Sequence, residues 1–194
     1  MISMPLSRRR SLFGLAAGAM LPTLAPARAE PGCADGLVIL TVGGLAGAPN
    51  RGALDPQRDR FFDHSNISFQ KARTFTAAGL SALSQRTVKA NNYGIDMIGK
   101  GPLLHDILAA ASPLAAAKMA RLSAIDGYAA ELTLADIKSQ EWILAMEADG
   151  QPFAIGNFGP LYAMRQLAPD VKKTTDDEEE VKWVHSIYYI ELMA

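Results

Sequence analysis

Apolar and polar positions alternate along this chain with a period that changes from segment to segment, and each change marks an element. Leu37-Val38-Ile39-Leu40-Thr41-Val42 is a β-branched, apolar run closed by Gly43-Gly44, which predicts a buried strand. Residues 47–66 lose the pattern. Gly, Pro, Asn and Asp punctuate them, and they read as a long surface excursion that Phe61 and Phe62 pin to the body. Thr76 to Leu83 reads as a short helix with Thr74 or Thr76 as its cap. Thr87-Val88 starts a short extended piece, and Asn91-Asn92-Tyr93-Gly94 is turn chemistry. Gly101-Pro102 reads as the opening of a helix, with proline in the first turn. Leu103, Leu104, Ile107, Leu108 and Ala111 give that helix an apolar stripe, and Ser112-Pro113 ends it.

The second half reads as strands joined by turns. Lys118 to Ile125 predicts a strand, Asp126-Gly127 a tight turn, and Tyr128 to Leu132 the returning strand. Thr133 caps a single helical turn, Leu134 to Lys138. Trp142 to Met146 predicts another strand, turned by Asp149-Gly150, and Gly159 to Met164 leads into a further one. Residues 170–180 form a charged loop, and Val181 to Leu192 closes the chain as a strand. A β-rich order with a few short helices inserted predicts an α+β class. No internal repeat or domain linker interrupts it.

The first 29 residues obey different rules. Ser7-Arg8-Arg9-Arg10-Ser11 is a basic start, and the apolar run from Leu12 to about Leu24 is too short to span a bilayer. Ala27-Arg28-Ala29 places small residues where a signal peptidase cuts. We therefore expect residues 1–29 to be a signal peptide of the twin-arginine type, residues 30–194 to form one domain, and the periplasm to be its location. Nothing after Ala29 is long and apolar enough for a transmembrane segment. Four of the 19 Lys and Arg residues lie in 1–29 and none of the 20 Asp and Glu residues, so the remainder carries 15 basic against 20 acidic side chains, a net charge of −5. An acidic domain argues against nucleic-acid binding, which needs a basic patch. Cys33 is the single cysteine, so no internal disulfide forms even in an oxidising compartment.

Several familiar chemistries are missing. Val42-Gly43-Gly44-Leu45-Ala46-Gly47 lacks the G-x-G-x-x-G spacing of a dinucleotide loop. His64, His105 and His185 have no zinc-site spacing. Asp176-Asp177-Glu178-Glu179-Glu180 lacks the alternation of a calcium loop, and no G-x-S-x-G activates a serine.

A resemblance carries the reading further. Gly101-Pro102-Leu103-Leu104-His105-Asp106-Ile107-Leu108 is similar to the "G-x-x-L-x-D-L-L" helix of the sulfite-oxidase-like molybdopterin-binding fold. Ala124-Ile125-Asp126-Gly127-Tyr128 resembles its "A-x-D-G-Y" hairpin, and Ile143-Leu144-Ala145 with Asp149 to Phe153 its "I-L-A…-G-x-P-L" hairpin. Gly159-Pro160-Leu161-Tyr162 resembles "G-P-L-R", and Trp183 to Ile187 the closing "W-V-x-x-I" strand. The motifs run in the family's order over roughly residues 75–192. In particular the chain looks like the small periplasmic molybdopterin-dependent oxidoreductase-like branch.

The resemblance implies a mixed β fold with short inserted helices, a molybdopterin-type molybdenum cofactor, and redox chemistry on a small substrate. It places the site where residues 87–93, the Gly101 helix start and residues 156–165 converge. Asn91, Asn92, Tyr93, Gly101, Tyr128, Asn157 and Arg165 are its candidate cofactor contacts, with Lys89, Lys100 and Arg165 as candidate partners for the cofactor phosphate. The chain also departs from the pattern. The cysteine that binds molybdenum in catalytic members has no counterpart in 87–93, and Tyr162 and Asn157 stand where an arginine and a histidine are expected. A thiolate is not freely replaced by a neighbour. The alternative reading is thus a non-catalytic ligand- or partner-binding module on the same fold, serving a sensor or redox partner in the periplasm.

Overall fold

Strand alternation decides which way each side chain faces, and it divides this molecule into a large core and a small one. The computed structural model describes residues 36–92, 94–167 and 181–194, all within the compact unit 31–194. Residues 1–29, read above as a signal, Cys33, Tyr93 and the charged run 170–180, read above as a loop, lie outside the described residues. In chain order the elements are β1 (Val38–Gly44), α1 (Arg60–His64), β2 (Arg73–Thr76), α2 (Ala77–Ser81), β3 (Gln85–Asn92), β4 (Ile95–Pro102), α3 (Leu104–Ala110), β5 (Met119–Ala124) and β6 (Ala129–Thr133). They continue with α4 (Leu134–Ser139), β7 (Ile143–Ala145), β8 (Glu147–Ala148), β9 (Gln151–Pro152), β10 (Tyr162–Met164) and β11 (Ile187–Met193). Mixed sheets with short helices make the class α+β, as the strand pattern predicts.

The strands form a five-stranded sheet in the order β2-β1-β11-β5-β6, a four-stranded sheet β3-β4-β8-β9 and a pair β10-β7. Only β1 and β11 run parallel among the named pairs; the last strand therefore enters the middle of the sheet beside the first. One face of the large sheet turns Leu40, Val42, Leu122, Ile190 and Leu192 into the main core. That core also receives Val88 and Met97 from the second sheet and Leu104, Ile107 and Leu108 from α3. Trp142 and Trp183 meet edge to face at 5.9 Å inside it. On the other face, Tyr189 joins Phe69 and Ala72 in a second small core, with Phe62, Ile67 and Tyr188 packed around it.

Local signals account for the turns and caps. Thr76 accepts from the Gly79 amide at 3.0 Å and starts α2, and Thr133 accepts from the Asp136 amide at 2.9 Å and starts α4. Both satisfy an otherwise orphaned helix N–H. The Leu103–Ala111 stripe is buried throughout.

Tertiary pairing overrides the local pattern in four places. Gly101-Pro102 does not open the helix: it ends β4, where Gln85 pairs with Pro102 and Arg86 with Gly101, and α3 starts at Leu104. The turn read over Asn91 to Gly94 falls at its end: Asn91 and Asn92 finish β3, paired with Asp96 and Ile95, and Gly94 at φ 73 turns the chain into β4. The four-residue β2 is too short to show a clear two-residue alternation, and it forms because β1 completes it. The last strand begins at Ile187 rather than Val181, after Ser186 at φ 56 breaks the extended run.

Candidate functional site

Five of the seven candidate contacts can be placed, Asn91, Gly101, Tyr128, Asn157 and Arg165, and they fall into two groups. Asn91 lies at the far end of β3 and donates through Nδ2 to the Asp96 carboxylate at 2.6 Å, while its own Oδ1 is buried without a partner. The β3 backbone reaches the 165–167 segment: the Lys89 amide donates to the Gln166 side chain at 3.2 Å. Arg165 spreads its guanidinium 5.8 Å from the centre of the Trp142 ring. Gly101 sits beneath these, with β4 pressed so closely on β7 that a Cβ there would strike the Leu144 carbonyl. Lys100 is held by Glu147 at 3.3 Å.

Tyr128 and Asn157 flank a different segment, 183–186. The Tyr128 hydroxyl donates to the Val181 carbonyl at 2.7 Å. The Asn157 side chain accepts from the Ala154 and Gly159 amides, each at 3.1 Å, and so holds its own loop closed. Its backbone carbonyl takes the Ser186 hydroxyl at 3.4 Å. Tyr93 lies outside the described residues, and nothing is said of the Asn92 side chain.

A polar opening lies on another face of the large sheet. A cavity of about 610 Å³ spreads over the outer face of β5 and β11, between the 64–68 segment and the β5–β6 turn. That volume is typical of small-molecule sites. Arg121, Ser123, Tyr189 and Glu191 face it from the strands, Asp126 and Tyr128 from the turn, and His64 from α1. The alternation that buries Ala120, Leu122 and Ala124 turns Arg121 and Ser123 outward; Tyr189 and Glu191 alternate likewise with Ile190 and Leu192. His64 Nδ1 meets the Arg60 carbonyl at 2.7 Å. A carbonyl only accepts, so Nδ1 carries the proton in that contact and Nε2 of the neutral ring is left as an acceptor.

A packed lock lies behind Tyr189, which lines the cavity. Arg51 pairs with Asp59 and lies 5.6 Å from the Phe62 ring centre and 5.0 Å from that of Phe69. Phe62 in turn packs on Phe69 at 5.7 Å and on Tyr189 at 5.8 Å. Burial pushes the Asp59 carboxyl up, but the Asp55 amide and Arg51 outweigh it and hold Asp59 below the ordinary carboxylate value. Burial drives the Tyr189 phenol well above its ordinary value, and the charge of Glu191 adds to this. Tyr189 therefore stays a neutral hydroxyl, buried over Gly43 and without a hydrogen-bond partner among the described residues.

Motif spacing does not reveal Arg121, Ser123 or Glu191. The only trace they leave is the two-residue alternation of β5 and β11, which marks an outward polar face without saying that a cavity covers it.

No family model matches the chain, and no curated protein matches it. Among solved structures, the sulfane dehydrogenase SoxCD from Paracoccus pantotrophus superposes with a TM-score of 0.54 at 14% sequence identity, over 79% of this chain and 37% of that one. This chain thus spans well under half of that structure's length. The likeness is one of fold: an α+β arrangement shared with part of a redox enzyme.

That fold raises the question of a molybdopterin cofactor. Among the described residues no group of His, Cys, Asp and Glu is placed to hold a metal ion. Of the candidate contacts, Gly101 faces backbone rather than an opening, and the Asn157 side chain is occupied within its loop. As placed, these two residues do not offer a pterin or its metal a contact.

Proposed function

We propose that this chain is a non-catalytic ligand-binding module built on a fold of the sulfite-oxidase-like, molybdopterin-binding type, working in the periplasm. The observation that carries the reading is the polar cavity over β5 and β11, which gathers charged and hydroxyl side chains and takes Tyr128 alone from the positions where the resemblance puts a cofactor. The fold likeness to a dehydrogenase supports the architecture. Export rests on Arg8-Arg9-Arg10 and Ala27-Arg28-Ala29, and no helix of the described residues is long and apolar enough to cross a membrane. A sensor or redox protein that reads the loaded state is the partner this reading calls for.

One observation favours a second reading, a molybdopterin-dependent oxidoreductase. The buried Asn91 Oδ1 has no partner, and a buried polar atom without one invites a missing group. Molybdenum and pterin analysis of protein exported by its own signal, in a host that makes the cofactor, separates the two. Folded protein with neither supports the binding module. Stoichiometric molybdenum and pterin would establish the oxidoreductase.

A further inference from the structure

We infer that the cavity over β5 and β11 takes a small amino-acid zwitterion, its carboxylate on Arg121 and its ammonium on Glu191. The inference rests on the ligand-binding reading above and names the ligand class. Glu191 and Arg121 are directly opposite each other in the β11–β5 register, and both line the cavity. Opposite charges facing each other across strands commonly close into an ion pair. Here neither makes an ion pair or hydrogen bond among the described residues, although Arg121 also stands opposite Glu131 on β6.

Two adjacent, opposite charges left open to one cavity suit a ligand bearing the same pair reversed. The carboxylate and ammonium of an α-amino acid are one carbon apart, a spacing that neighbouring strands can span. The planar guanidinium fork matches a carboxylate. Beside Glu191 on the same strand lies the Tyr189 phenol, which burial keeps neutral, so no second anion stands next to that carboxylate there. Around the pair, Tyr188, Ile67 and Asp126 line the rest of the cavity. Asp126 already accepts from the Tyr128 amide at 2.9 Å. The Tyr128 phenol is engaged with the Val181 carbonyl, and His64 on the rim offers an Nε2 acceptor that suits an ammonium as well. A simple anion would leave Glu191 uncompensated, and a simple cation would leave Arg121 so.

Thermal unfolding of the mature exported protein tests this, with L-glutamine, L-phenylalanine and L-arginine as probes. Phenethylamine and 3-phenylpropionate serve as single-charge controls, and D-glucose as a neutral one. We expect at least one amino acid to raise Tm while the single-charge analogues do not. R121Q and E191Q should each weaken that binding by roughly ten- to a hundredfold with Tm of the free protein little changed. The exchanged pair R121E/E191R should recover part of it, which a merely structural role would not. A shift from D-glucose alone, or equal shifts from the single-charge analogues, overturns the zwitterion and leaves the ligand-binding reading standing. No response to any amino acid also overturns it. Stoichiometric molybdenum and pterin would separately remove the reading beneath it.

Discussion

At the junction of β4 and β7 two backbones meet with no side chain between them, whereas at the junction of β1 and β11 the Tyr189 ring lies over Gly43 and an open polar cavity begins beside it. Both junctions depend on a glycine, but for opposite ends. Gly101 lets strands close, and it does so among the residues that the family resemblance singles out. Gly43 leaves room for a ring, and that ring floors the surface where unpaired charges gather. The contrast teaches that a motif can persist as packing while the polar chemistry of a chain collects elsewhere.

The largest effect should come from breaking the closed junction. In Gly101→Ala the new Cβ meets the Leu144 carbonyl and the Ala145 backbone, neither of which can swing aside. We expect a loss of about 3 kcal/mol or more, the range of severe overpacking, measured by urea unfolding. Gly99→Ala is the control on the same strand, because its Cβ meets the flexible Met164 thioether. Its cost should be clearly smaller. Equal costs at the two positions would show that β4 and β7 are not locked at Gly101.

The next effect concerns the lock behind Tyr189, beside the open cavity. Arg51→Ala removes the pair with Asp59 and the guanidinium stacked between Phe62 and Phe69. A loss of about 1–2 kcal/mol follows from cation–π contacts together with a partly buried pair. Limited proteolysis should move into residues 47–69 before the sheets open. Acid acts at the same point. Asp59 has a depressed folded pKa, so its contribution is present above the ordinary carboxylate range near 4 and is lost as pH falls through the lower folded value. Cleavage in 47–69 that is insensitive to both Arg51→Ala and acid would sink the lock.

Much of this contrast is legible in the residues themselves, and the missing part has a physical cause. Periodicity finds β1, the α3 stripe, the β5–β6 hairpin with Gly127 at φ 89, and the Thr76 and Thr133 caps, because each is decided within a few residues. The pinning of residues 47–66 by Phe62 is likewise visible as two aromatics in a polar stretch. What local pattern misses is decided by strand pairing at a distance. Asn91 and Asn92 read as turn formers until Ile95 and Asp96 pair with them, and Gly101-Pro102 reads as a helix start until Gln85 and Arg86 extend β4. The cavity is less legible still. Arg121 and Glu191 stand 70 positions apart in the sequence, and only the β11–β5 register brings them face to face.

The smallest effect is the most diagnostic for the open junction. The Tyr189 hydroxyl is buried against Gly43 and makes no hydrogen bond among the described residues, so the fold has desolvated it without compensation there. Tyr189→Phe keeps the ring between Phe62 and Phe69 and removes only the oxygen. Removing an unsatisfied buried hydroxyl should leave stability unchanged or raise it by up to about 1 kcal/mol. The sign with pH can be worked out. The folded pKa is raised, so the native protein holds its phenolic proton while the unfolded chain releases it near the ordinary value of about 10. Stability tied to Tyr189 is therefore full below that value and declines as pH rises toward the higher folded one. Urea unfolding of both proteins at neutral pH and at about pH 10.5, just above the ordinary tyrosine value, reads the difference directly, since all other tyrosines are common to both. The gap should widen in favour of Tyr189→Phe at the alkaline pH. A variant that loses about 1 kcal/mol or more at neutral pH would mean that the hydroxyl has a partner after all, and a bound group over Gly43 would then be the first place to look.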